Sequence, residues 1–224
     1  MLAIAHAGGA LDGVPYTNSL EALEASYAAG FRWFEMDFLR TADGHTACRH
    51  DWRSFGGTAP TLAALRAALP YTPADAKTLA AWLAAHRDAV LVTDVKETDQ
   101  LPVLKELLAA GVEPARTVVQ LFSPGEDDAV ARLGFGRRSL ILYRTRARAH
   151  TLAAFARAAR PLAIAQSLAE AKAGARLRGV QAPWWAYTVN DPRDAAHLAR
   201  LGCGGVFTDT LRPGSDGLAA TPDA

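Results

Sequence analysis

Cysteine is scarce in this chain: of 224 residues only Cys48 and Cys203 carry a thiol. Neither has a second cysteine at the spacing of a zinc or redox motif, so there is no disulfide framework and no cysteine-built metal site. Both fall in or beside strand-like sequence and are expected to be small buried side chains in a reducing compartment. Long apolar runs are also missing; none reaches the ~18 residues that a membrane-spanning helix needs. The opening stretch MLAIAHAGG has neither a basic start nor a cleavage site. A cytoplasmic protein with no stable membrane insertion is therefore expected. Charge of one sign is lacking too, since 24 Lys and Arg face 23 Asp and Glu for a net +1. With no dense basic stripe interleaved with aromatics, nucleic acid is not an expected partner. There is no HExxH, no His-x-His and no GxGxxG.

What is present is a repeated alternation of period-two and period-3.6 apolar patterns, with half of all residues hydrophobic. Strands are predicted at 2–7, 33–41, 89–97, 117–122, 138–145, 162–167, 184–190 and 205–209, with a short returning strand at 45–51. Helices are predicted at 18–30, 61–69, 78–88, 100–111, 124–134, 147–159, 168–178 and 191–202. Asn18 or Ser19 can cap the first helix and Gly30 stops it. Eight main strands joined to helices by short connections define a single-domain closed parallel (β/α)8 TIM barrel over residues 1–210. An open doubly wound sheet is the alternative, but HAGGALDG lacks the glycine spacing of its phosphate loop. The longest interruption, 52–77, is expected to form a lid above the catalytic end. After the last strand only TLRPGSDGLAATPDA remains, so the eighth helix is reduced and 211–224 is expected to be a flexible tail.

Catalytic groups of such barrels stand at the C-terminal ends of the strands. Read in order, those ends give His6, Glu35 with Asp37, His50, Asp94 with Lys96, Gln120, Arg144, Gln166, Asn190 and Thr208. Residues two apart share a strand face, so Glu35 and Asp37 point together. With Asp94 they put three carboxylates at one mouth, a repulsion that a hard divalent cation, Mg²⁺ or Ca²⁺, removes. His6 and His50 can face each other across the mouth, a pair suited to proton transfer near neutral pH. His45, His86, His150 and His197 lie on turns or helices and receive no role. Trp52, at the start of the lid, is a candidate contact for a leaving group.

Together these residues resemble the glycerophosphodiester phosphodiesterase family of phospholipase-C-like barrels. Its block of Glu-x-Asp, Asp-Gly turn and His-Asp is present as Glu35, Asp37, Asp43–Gly44 and His50–Asp51. Its first-strand histidine is His6, and its acid-x-lysine motif is DVK, with Asp94 for the commoner glutamate. Its Trp-Thr-Val-Asn appears as YTVN at 187–190 and its closing Thr-Asp as 208–209. The resemblance implies cleavage of a small phosphodiester to glycerol 3-phosphate and an alcohol, with Glu35, Asp37 and Asp94 holding the metal. His6 and His50 are implied as acid and base, and Lys96, Asn18 and Asn190 as substrate or phosphate contacts. Two further departures concern the phosphate side: Ala7 replaces the usual arginine, and YTNS at 16–19 replaces Pro-Glu-Asn-Thr. HAGG with YTNS marks a bacterial subgroup, in which Arg144 is expected to take over as the phosphate clamp. A phospholipase-type lyase that stops at a cyclic phosphate, and a barrel that only binds phosphorylated ligands, are the alternative functions.

Overall fold

Eight parallel strands close on themselves in a computed structural model that describes residues 1–214 and 217–222. In chain order the strands are β1 Leu2–Ala5, β2 Trp33–Arg40, β3 Thr46–Cys48, β4 Val90–Val95, β5 Thr117–Leu121, β6 Arg137–Ile141, β7 Ile164–Ser167, β8 Trp184–Tyr187 and β9 Gly205–Thr208. The sheet runs β1-β9-β8-β7-β6-β5-β4-β2, and the β1–β2 pairing completes the ring. Only β3 is antiparallel; it folds back on β2 with Phe38 opposite Cys48. The helices are α1 Leu20–Ala28, α2 Leu62–Ala68, α3 Ala76–Ala85, α4 Leu101–Ala110, α5 Asp127–Arg132, α6 Ala149–Ala159, α7 Leu168–Lys172 and α8 Pro192–Arg200.

Strand alternation sorts the apolar residues into two cores. Leu2, Ile4, Trp33, Val92, Val118, Ile141, Trp185 and Phe207 fill the barrel interior. Phe34, Met36, Phe38 and Leu140 face outward, in one cluster with Leu104 and Leu107 of the covering helix 101–110. The barrel floor depends on Gly205. A Cβ there would lie 2.8 Å from Cδ1 of Trp185, so only glycine lets that indole cross beneath the mouth.

Elements are shorter than predicted wherever a turn-former intervenes. The first strand stops at Ala5 because 6–8 form a 3-10 turn in which Ala7 adopts φ 50°. The predicted helix 168–178 ends at Lys172, ahead of Gly174 in the left-handed region. Ser19, not Asn18, caps α1, accepting from the amide of Ala22 at 3.1 Å.

The stretch after β3 forms a 3-10 turn at Arg53–Phe55, then α2 capped by Thr61. Asp75 caps α3, which begins at Ala76 inside the expected lid. Among the described residues no helix follows β9. The described part of the tail is docked, contrary to expectation: Leu211 and Leu218 are buried. Ala219 also exchanges backbone hydrogen bonds with Met1 and Ala3 at 2.8 Å each. The cause is a free strand edge: β2 begins pairing with β1 only at Ile4, so Leu2 is open on that side and Ala219 takes it. The remaining tail positions, 215, 216, 223 and 224, lie outside the described residues. No helix among those described is long and apolar enough to cross a membrane.

Candidate active site

The inward face of β2 carries Trp33, Glu35 and Asp37 in rising order. Register sets Asp37 beside Asp94 of β4 at the C-terminal mouth. One oxygen from each of Glu35, Asp37 and Asp94 falls in a group no more than 4.8 Å across, and all three residues are buried. Each acid is held by a different donor. The amide of Ala7 donates to Glu35 Oε2 at 2.8 Å, and the side-chain amide of Asn18 donates to Asp37 Oδ2 at 2.9 Å. Lys96 Nζ sits between Asp37 Oδ1, at 2.8 Å, and Asp94 Oδ2, at 2.7 Å.

Burial, then the charge of Asp37, pushes the Glu35 carboxyl well above the usual carboxylate range, only partly opposed by His6. Asp94 is pushed up by burial and held back by Lys96. Desolvation pulls Lys96 down, but Asp37, Asp94 and Glu35 outweigh it, so the amine is a firm cation. Glu35 Oε1 is buried with no hydrogen-bond partner among the described residues. An all-oxygen set of three converging carboxylates with an unsatisfied buried oxygen fits a hard divalent cation. Glu35, Asp37 and Asp94 would hold it.

His6 and His50 both line one cavity of about 210 Å³ with Glu35, Asp94 and Lys96. His6 Nδ1 is 2.8 Å from Asp209 Oδ1, and its Nε2 is 3.9 Å from Glu35 Oε2. Burial lowers the imidazole pKa, but the Asp209 hydrogen bond and the charges of Glu35 and Asp37 raise it further, to about 9. His50 Nδ1 is 3.1 Å from Asp51 Oδ2. The ring of Tyr16 wedges between the two imidazoles, with edge contacts at 4.9 Å to His6 and 4.8 Å to His50.

Four residues expected to meet substrate are not among those that line the cavity. Asn18 is fully buried and clasps Asp37, donating to its carboxylate and accepting from its backbone amide at 3.0 Å. Asn190 donates to Asp209 Oδ2 at 2.7 Å and accepts from the Asp209 amide at 2.8 Å, fixing the carboxylate that holds His6. Arg144 is spent on the backbone, donating to Val95 O at 2.8 Å and Glu97 O at 2.9 Å, with its guanidinium 4.3 Å above the Phe122 ring. Both terminal nitrogens of the guanidinium thus donate to carbonyls, and Arg144, expected as the phosphate clamp, is not among the residues that line the cavity. Trp52 packs edge-on against Phe55, at 6.2 Å between centroids, and no residue of 52–77 lines the cavity.

Other lining residues receive no role from the sequence: Tyr16, Tyr143, Tyr187, Thr188, Ile141 and Phe207. The Tyr143 hydroxyl lies 3.2 Å from Asp94 Oδ1 and 3.3 Å from Lys96 Nζ. Asp209 was passed over for its neighbour Thr208, although strand parity carried the signal. Phe207 points into the barrel, so Asp209, two residues on, continues the inward face.

No family model matches the chain, and no curated protein matches it. Solved structures do. A glycerophosphodiester phosphodiesterase from Parabacteroides distasonis superposes with TM-score 0.74 at 15% identity over 93% of this chain and 92% of that one. One from Thermotoga maritima gives 0.67 at 18% identity over 93% and 94%. A phosphodiesterase from Oleispira antarctica, in complex with the product sn-glycerol-3-phosphate, gives 0.70 at 18% identity over 93% of each chain. These likenesses establish the fold: the chain is a single (β/α)8 barrel of the shape these phosphodiesterases have.

Proposed function

We propose that the protein is a phosphoric diester hydrolase that cleaves small glycerophosphodiesters to glycerol 3-phosphate and an alcohol. The observation that carries this reading is the buried carboxylate nest of Glu35, Asp37 and Asp94 with His6 and His50 lining one cavity beside it. The sequence resemblance and the shared barrel shape support it. A divalent cation held by the three acids would supply positive charge for the phosphoryl oxygens and the attacking oxygen.

His6 is the proton donor, since Asp209 Oδ1, 2.8 Å from its Nδ1, stabilises the imidazolium. Asp209 keeps its Nδ1 proton in place and leaves Nε2 toward the cavity. His50, oriented by Asp51, is the acceptor. As the new P–O bond forms, the attacking oxygen gives its proton to His50; it comes from water, or from the substrate's own hydroxyl, in which case water then opens the cyclic phosphate. As the old P–O bond breaks, the leaving alcohol oxygen takes the proton of His6. Lys96 holds a positive charge beside the developing negative charge.

The test is turnover of a panel of glycerophosphodiesters and aryl phosphodiesters after chelation and after return of Mg²⁺ or Ca²⁺. Activity is expected only with metal, and His6→Ala and His50→Ala are each expected to lose at least ~10²-fold. Activity that survives in both variants ends the assignment; a persistent cyclic product by phosphorus NMR makes the protein a lyase.

A further inference from the structure

The near balance of charge along the chain conceals a segregation. From Gly136 to Asn190, the stretch that builds β6, α6, β7, α7 and β8, there are ten Arg and Lys and a single acid, Glu170. With 24 bases and 23 acids in all, the remainder of the chain is strongly negative. Some of the ten are engaged: Arg138 with Asp127, Lys172 with Asp194, and Arg144 with the carbonyls already described. Arg137, Arg157 and Arg160 have no acidic partner among the described residues. Between them these three line two cavities at the N-terminal end of the barrel, opposite the mouth. Arg137 and Arg160 stand in the wall of one, of about 180 Å³, and Arg157 and Arg160 in that of the other, of about 440 Å³. The second is about twice the volume of the cavity at the mouth. The two meet at Arg160 and Pro161, in the loop that leads from α6 into β7.

Stability does not call for these guanidinium groups. Arg137 opens β6 with the same parity as Ile141, so it points into the barrel, and it lies 4.9 Å over the Trp33 ring at the floor. Burial pulls its pKa down, and no neighbouring acid pulls it back. A leucine would cover the same ring without that desolvation. Arg160 ends α6 in the left-handed region, at φ 47°, where glycine would sit without strain. Arg157, in the last turn, donates to Arg178 O at 3.4 Å. The single acid in these walls, Asp127, is taken by Arg138. The carbonyl end of α6 offers roughly half a negative charge against three cations.

A guanidinium forks onto phosphoryl oxygens, which accept hydrogen bonds and carry the missing charge. Because Arg160 belongs to both walls, two linked phosphoryl groups can engage Arg137 on one side and Arg157 on the other. These cations stand in cavities between loops rather than on a raised face, which suits a small ligand better than a bilayer. Phe155, Leu162, Val180 and Pro183 give the walls the apolar share usual in small-molecule sites. We propose that the two cavities form an anion site for a small ligand carrying two linked phosphoryl groups, held by Arg137, Arg160 and Arg157. The site does not depend on the phosphodiesterase reading.

The test is calorimetry on the full chain with inorganic pyrophosphate and inorganic phosphate, at physiological ionic strength to screen diffuse attraction. It is run in excess chelator, so that the carboxylates of the mouth stay unscreened and repel anions. One pyrophosphate should bind per chain, at least ~10-fold more tightly than phosphate. Arg137→Met and Arg160→Gly should each weaken it by at least ~10-fold. Joint replacement of Arg146 and Arg148 by Met should leave it within about two-fold, because these exposed cations of the same sector lie outside both cavities. No binding of pyrophosphate, or no preference for it over phosphate, overturns the site. So does an equal loss in the Arg146 and Arg148 variant, which would make the attraction diffuse. Should Arg137→Met fail to fold, Arg160→Gly decides alone, since glycine suits that backbone. Sedimentation with phosphatidylglycerol vesicles, without pyrophosphate binding, would make the sector a membrane-facing surface instead.

Discussion

Replacing Asp209 with asparagine isolates what the second histidine partner does. The carboxylate is 2.8 Å from His6 Nδ1, and its other oxygen is tied to Asn190 at 2.7 Å. Burial raises the Asp209 pKa, but its bonds to His6 and Asn190 outweigh that and hold it below the usual range, so it is charged when His6 is. Moving His6 from 6.5 to about 9 is worth roughly 3 kcal/mol in favour of the imidazolium, and the Asp209 bond is the largest favourable contribution. The folded pKa lies above the unfolded one. This stabilisation is therefore complete below pH 6.5 and disappears as pH rises through about 9. In the metal-free protein Glu35, also raised, loses stability in the same direction. Asp209→Asn should bring the His6 titration, followed by imidazole NMR, down by at least about one pH unit. It should shrink the loss of urea stability between neutral and alkaline pH and lower kcat/KM by at least ~10²-fold, because an amide can present its NH2 to Nδ1 and favour the wrong tautomer. A His6 titration unmoved in the variant, with kcat/KM intact, would refute the relay from Asn190 through Asp209 to His6.

Two further substitutions probe the neighbouring groups. Lys96→Met removes the ammonium shared by Asp37 and Asp94; the metal-free protein should lose about 3–5 kcal/mol in urea denaturation. Divalent cations should then bind more tightly for want of a competitor, and weaker binding in calorimetry would contradict that competition. Arg144→Ala should cost about 1–3 kcal/mol from the loss of its two carbonyl bonds. Its KM should stay within a few-fold of wild type, and a large rise in KM would restore the phosphate-clamp role.

How much of this was legible beforehand depends on the range over which each feature is encoded. Parity along β2 and β4 is local, so Glu35, Asp37, Asp94 and Lys96 could be assigned to one mouth from their spacing alone. His6 and His50 needed only the order of strand ends. What the sequence does not show is a side chain's engagement with a partner distant in the chain. Arg144 reads as a free cation until the carbonyls of Val95, which ends β4, and of Glu97 beyond it are seen to accept from it. Asn18 and Asn190 read as substrate contacts because nothing local says that their amides are engaged 19 residues away. The tail reads as mobile because the open edge at Leu2 exists only once the barrel has closed.

The charges at the mouth make one more demand. Glu35, Asp37, Asp94 and Asp209, set against Lys96 and a protonated His6, leave two negative charges in a buried space. That is the charge of one divalent cation, and its lack of compensation is part of what lifts the Glu35 carboxyl and the His6 imidazole together. A cation arriving among the three acids must reverse that lift, so loading near neutral pH should release protons, Glu35 being the main source. Calorimetric titration with Mg²⁺ or Ca²⁺ in buffers of different ionisation enthalpy reads this release directly. It should be appreciable at pH 7, diminish toward alkaline pH as the free protein gives up the same protons unaided, and be much reduced in Glu35→Gln. Metal uptake with no buffer dependence at neutral pH would mean that Glu35 is already ionised in the free protein. The excess negative charge would then stand without lifting that carboxyl, which refutes the coupling.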